Sequence, residues 1–79
     1  MNHLSPEDTL TSVAAIIATY AADEEHSLDL AQIHHYFFDE IGYDINNTIL
    51  LMVLDKLKKD GLIKNPPGLY TSYIINKSA

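Results

Sequence analysis

Leu54-Asp55-Lys56-Leu57-Lys58-Lys59-Asp60-Gly61-Leu62-Ile63 decides the fold class of this chain. Leu54 and Leu57 lie three apart, and Leu50 and Val53 continue the same spacing upstream, which draws one apolar stripe down a helix. Lys56, Lys58 and Lys59 crowd the end of that stripe, where the exposed carbonyls of a helix favour cations. Gly61 then supplies the residue type that most readily adopts the left-handed exit conformation. This third helix is capped by Asp44 or Asn46, flanked by Ile49 and stopped at Gly61. Beyond it, Leu62-Ile63-Lys64-Asn65, the turn Pro66-Pro67-Gly68, and residues 69–76 read as two strands around a tight turn.

Working upstream, Ser5-Pro6-Glu7-Asp8 reads as a helix start: a hydroxyl cap, a proline preset for the first turn, and two acids at the positive helix end. Leu10, Val13, Ala14, Ile17, Tyr20 and Ala21 extend this first helix over about 6–22. The acidic run Asp23-Glu24-Glu25 is a polar connection, and His26-Ser27-Leu28 is a short extended segment. Asp29 caps a second helix with the stripe Leu30, Ile33, Phe37 and Ile41, ended by Gly42. Asp39 and Glu40 sit at its negative end, so either solvent or a lysine from another element must screen them. The expected core is Leu10, Val13, Ile17, Ile33, Phe37, Ile41, Leu50, Val53, Leu54, Leu57 and Ile63.

The order α-(β)-α-α-β-β, covering roughly residues 8–76, resembles the winged-helix superfamily, most sharply over residues 54–63. The resemblance implies an α+β domain of three helices with a C-terminal two-stranded hairpin wing, residues 1–79 forming one domain. It also implies that the third helix is the recognition element and 64–70 the wing. In DNA-binding members the start of that helix meets base edges while the wing and nearby cations hold phosphates. The matching positions here are Asn46, Asn47 and Thr48, with Lys56 and Lys64 as the nearby cations.

Composition pulls the other way. The chain has 79 residues, a formal charge of −6, 11 Asp plus Glu against five Lys, no Arg and no cysteine. Arg is the side chain best suited to bidentate guanine and phosphate recognition, so its absence predicts weak nucleic-acid binding. The charge is uneven: residues 1–44 carry nine acids and no lysine, and 45–79 carry every lysine and two acids. So short a chain holds one small core and no deep cleft, and it shows no Gly-rich phosphate loop or paired acids in an apolar pocket, so no enzyme activity and no cofactor are expected. No membrane span and no signal peptide are visible, which predicts a cytoplasmic protein that stays off the membrane.

Three constellations could carry function. On a 100° wheel, Thr48, Met52, Asp55 and Lys59 lie opposite the core stripe of the third helix and Leu51 on its flank. These five residues are the expected partner-contact surface, with an extra-wide buried stripe as the alternative for Leu51 and Met52. His34 and His35 point about 100° apart and cannot share one ion, so no metal site is expected; His35 should pair with Asp39, and His34 should border the core beside Phe38. Tyr70 and Tyr73 fall on opposite faces of the last strand, leaving at least one exposed. Two function classes follow. The first is a winged-helix interaction module that engages a protein partner or a second copy; the second is a DNA-binding regulator that dimerises to present Asn46, Asn47, Thr48 and its lysines twice. The charge balance ranks the first ahead.

Overall fold

A computed structural model of the chain describes residues 5–42 and 44–77. The elements run α1 (Pro6–Tyr20), a 3₁₀ turn (Glu24–His26), β1 (Leu28–Asp29), α2 (Leu30–Ile41), α3 (Asn47–Lys59), β2 (Ile63–Lys64) and β3 (Ser72–Ile75). The architecture is α+β: three helices packed on an antiparallel sheet of order β1-β3-β2. The extended pair before α2 is thus a true edge strand, with Leu28 opposite Tyr73 and Asp29 opposite Ser72. On the other side of β3, Ile63 faces Ile75 and Lys64 faces Ile74.

Each helix starts where a short polar side chain can take up its orphan amides. Ser5 Oγ accepts the Asp8 N–H at 3.1 Å, and the Thr9 hydroxyl donates to the Ser5 carbonyl at 3.0 Å. At α2, Asp29 accepts the Gln32 N–H at 2.8 Å while Gln32 accepts the Asp29 N–H at 2.9 Å, a reciprocal capping box. Asn46 caps α3 by accepting the Thr48 N–H at 2.7 Å. Ile45 and Leu50, the two positions of a hydrophobic staple around that cap, are both buried.

The core gathers Val13, Ile16, Ile17, Ile33, Phe37, Leu50, Val53, Leu54 and Leu57 from the helices, with Leu28, Ile63 and Ile74 from the sheet. Leu10 and Ile41 are only partly buried against it. Ile16, Ala21, Leu28, Ile45 and Ile74 join the residues expected from the sequence.

Several expectations need correction. The first helix ends at Tyr20 rather than 22, because buried Ala21 leaves helical geometry and its carbonyl accepts the Ile75 N–H at 2.9 Å. His26 closes the 3₁₀ turn instead of starting an extended segment: the Asp23 carboxylate caps that turn and holds His26 Nδ1 at 2.7 Å. The connection between β2 and β3 is not a tight turn. Pro66 and Pro67 have no N–H to continue a ladder, so the chain makes two successive turns, Leu69 N–H to Pro66 O and Ser72 N–H to Leu69 O. Asn65 Nδ2 closes the loop by donating to the Tyr70 and Ser72 carbonyls, at 3.2 and 2.7 Å. Tyr70 therefore lies in the loop, not on the strand.

Leu62, read from the sequence as part of the first wing strand, precedes that strand and is exposed, whereas Ile63 beside it is buried. At the end of α3, the Gly61 N–H bonds the Lys58 carbonyl and the Leu62 N–H bonds the Leu57 carbonyl, both at 3.0 Å. This is a Schellman exit with Gly61 at φ 79°, and Leu62 occupies the position that customarily touches the helix three residues before its cap.

Candidate interaction face on the third helix

The stripe that packs α3 inward leaves the rest of its circumference to solvent, and its two flanks differ. The flank toward α2 carries Asn47, whose Oδ1 is hydrogen-bonded to His34 Nε2. That bond explains the position of His34: it is half-buried and tied to α3 rather than bordering the core beside Phe38, which is exposed. His35 meets Tyr36 edge-on at 5.7 Å and forms no ion pair with Asp39. Among the described residues, no three His, Asp or Glu side chains gather as metal ligands.

The flank toward α1 is apolar. Pro6 and Leu10 of α1 face Ile49, Met52 and Val53 of α3 across a shallow groove, with Lys56 at its edge. The groove continues past Leu10 to Thr11, Ala14, Leu57 and Leu62, with Asp60 in its lining. Ile49 is 50% and Met52 66% exposed, so the groove has apolar walls that no described residue covers. Ile49, at 260° on the wheel from Leu50, joins Met52 on this flank, whereas Leu51, 49% exposed, sits at 100° on the opposite one. The five expected contact residues therefore divide. Met52 belongs to the groove, Thr48, Asp55 and Lys59 to the outer ridge of the helix, and Leu51 to the side facing α2.

The cations of α3 are largely matched within the helix. Lys59 Nζ lies 3.2 Å from Asp55 and Lys56 Nζ 3.1 Å from Asp60. Both are exposed i, i+4 pairs, each contributing little to stability but reducing the free positive field of this surface. Their spacing was readable in the sequence. Lys64 lies elsewhere, bordering a depression with Asp23, Glu24 and Lys77 at the sheet end.

The five residues suited to nucleic acid are thus not assembled as a free reading surface. The Asn46 Oδ1 caps α3, the Asn47 Oδ1 is engaged by His34, Lys56 is paired, and Lys64 lies apart at the sheet end with Asp23, Glu24 and Lys77. Thr48 alone of the set is exposed on α3 without a side-chain partner.

At the far end of α2, Asp39 is left to solvent, whereas Glu40 is engaged by a tyrosine rather than a lysine. The Tyr20 hydroxyl donates to Glu40 at 2.6 Å, and the Tyr20 ring stacks on Tyr36 with centroids 3.9 Å apart. The Glu40 hydrogen bond, followed by partial desolvation and the charge of the carboxylate, raises the Tyr20 hydroxyl above its ordinary pKa of 10.0. This pair fastens α1 to α2 and leaves the groove side untouched.

No helix among the described residues is long and apolar enough to cross a membrane. No family model, curated protein or solved structure matches this chain, so its function is read from the chemistry of its own surface.

Proposed function

We propose that this chain is a non-catalytic interaction module of winged-helix type, working through protein contacts made on the α1/α3 side. The observation that carries this is the groove of Pro6, Leu10, Ile49, Met52 and Leu62, apolar, uncovered and bordered by a lysine already matched to an acid. Contiguous uncovered apolar surface rimmed by polar groups is the usual mark of a protein contact. Methionine, unbranched and polarisable, suits such a surface because it adapts to the shape of what covers it.

The winged-helix assignment is supported by the element order and by a sheet in which the last strand lies between the other two. A regulatory or adaptor role in the cytoplasm is consistent with that architecture. The DNA-binding alternative has less behind it: Asn46 and Asn47 are committed to a cap and to His34, and two of the lysines on α3 are paired.

A benzophenone amino acid at position 52, irradiated in the native cell, tests the choice. The expected products are protein–protein adducts that disappear when the probe is moved to exposed Ala15 on α1. In parallel, duplex DNA at physiological salt should bind no tighter than about 10⁻⁴–10⁻⁶ M, the non-specific range. Nucleic-acid adducts, or a nanomolar sequence-dependent complex, would reverse the ranking.

A further inference from the structure

We propose that the corner where α1 and α2 end, formed by Tyr20, Tyr36, Asp39 and Glu40, is a second contact face that takes an arginine side chain from a positively charged segment of a partner protein. It lies on the α1/α2 side, apart from the groove, and does not depend on the reading given above. Its origin is an electrostatic mismatch. Neither α1 nor α2 has a basic residue in its last turn, and α2 carries Asp39 and Glu40 there, against the partial negative charge of its own terminal carbonyls. All five lysines lie at position 56 or beyond, and the chain has no arginine. Among the described residues the ion pairs engage Asp23, Asp55 and Asp60, so neither Asp39 nor Glu40 is matched by a cation.

The aromatic pair is a separate observation that points to the same ligand. Tyr36, Asp39 and Glu40 stand at i, i+3 and i+4 and so share one face of α2. On that face the Tyr20 ring lies 9° from parallel with the Tyr36 ring, their centroids 3.9 Å apart, and Tyr20 remains 36% exposed. Its hydroxyl donates to Glu40 Oε2 at 2.6 Å, while Oε1 of that carboxylate has no bonded partner among the described residues. The Glu40 hydrogen bond, then desolvation, then the charges of Glu40 and, more weakly, Asp39 raise the Tyr20 hydroxyl, so both carboxylates are within electrostatic reach of the ring.

Electron-rich rings and unmatched carboxylates on one face both favour a cation, and together they discriminate between cations. A guanidinium is planar and stacks on an aromatic ring while its fork of N–H groups reaches carboxylate oxygens, whereas an ammonium is a strongly hydrated point charge. A lone exposed ion pair contributes little, so the arginine needs the rest of a basic segment behind it, drawn by the chain's charge of −6. Asp23 and Glu24 are not part of this face, since Lys64 and Lys77 share their depression at the sheet end.

NMR titration of the intact chain with a tetra-arginine peptide, and separately with a tetra-lysine peptide, tests the proposal. At low salt the arginine peptide should give saturable shifts centred on Tyr20, Tyr36, Asp39 and Glu40, with a dissociation constant below that of the lysine peptide. Asp39→Asn combined with Glu40→Gln should raise that constant about fivefold or more. Glutamine keeps an acceptor for the Tyr20 hydroxyl, and an unchanged circular dichroism spectrum checks that the variant is folded. Glu7→Gln combined with Asp8→Asn makes the same change of charge at the other end of α1, about 20 Å away, and should alter the constant less than about twofold. Equal losses in the two double variants, shifts spread over every acidic segment without saturation, or a lysine peptide bound as tightly as the arginine one would each overturn the proposal. Adducts from position 52 report on the groove and not on this corner, so either reading stands or falls without the other.

Discussion

Leu51 and Leu54 stand three residues apart on α3, and truncating each to alanine separates the inward face of the helix from the outward one. Leu54 is 1% exposed, closed in by α1 and the rest of the core, whereas about half of Leu51 already meets water. Removing a buried leucine side chain costs the transfer energy of the lost carbons and the cavity left behind, about 2–5 kcal/mol. A chain of 79 residues has a total stability of about 4–12 kcal/mol, so Leu54→Ala removes a large share of it. At Leu51 the cavity contribution is absent and the transfer contribution is roughly halved, while alanine's better helix propensity returns about 0.2 kcal/mol. The expected loss there is below about 1 kcal/mol. Urea unfolding followed by circular dichroism reads both: with a slope near 1 kcal/mol per molar for so small a domain, Leu54→Ala should lower the midpoint by about 2 M or more and Leu51→Ala by less than about 1 M. Equal shifts, or a larger one for Leu51, would mean that α3 does not pack on the face assigned to it.

Two further outcomes follow from local geometry. The hydrogen bond with Asp23, reinforced by its charge, holds the His26 imidazole above the ordinary 6.5, and the same bond holds the Asp23 carboxyl below 3.8. The pair is therefore complete between those pH values. It is lost as pH rises through the raised His26 value and, on the acid side, as pH falls through the lowered Asp23 value. An NMR titration should show His26 deprotonating above 6.5, and Asp23→Asn should remove that elevation; an unchanged His26 curve in the variant would refute the pairing. In the wing, Asn65→Ala deletes both hydrogen bonds that close the loop on Tyr70 and Ser72, at an expected cost of about 1–3 kcal/mol. Amide exchange should accelerate at Leu69 and Ser72, and protection equal to that of the parent chain would show that the prolines hold the loop unaided.

What could be read from the sequence was whatever repeats or punctuates locally. The caps Ser5 and Asp29, the exits Gly42 and Gly61, and the three apolar stripes locate α1, α2 and α3 to within a residue or two. Ile45 escaped because it lies between two helices, where no periodicity marks a residue as buried, although its place just before Asn46 fits a hydrophobic staple. Leu62 was legible only as an apolar residue after a glycine; its role depends on the hydrogen bond to Leu57, which is a matter of backbone geometry. On α3, the exposure of Met52 was legible from direction alone, since a helix wheel shows what points away from the core. The groove was not, because it needs Pro6 and Leu10, some forty residues earlier, to be laid beside Ile49. The Asn47–His34 bond is hidden for the same reason, and it engages the Asn47 Oδ1.

The place of β3 at the centre of the sheet also has a meaning in time. β1 and β2 do not pair with one another, so both stay single until Ser72–Ile75 has been made. Leu28 is synthesised 45 residues before Tyr73, its partner across the sheet, an interval of about 2–9 s at 5–20 residues per second. Throughout it Leu28 lacks its cross-strand partner. The sheet therefore cannot close before residues 72–75 are available, and a chain truncated before residue 72 would leave β1 and β2 without the strand they share.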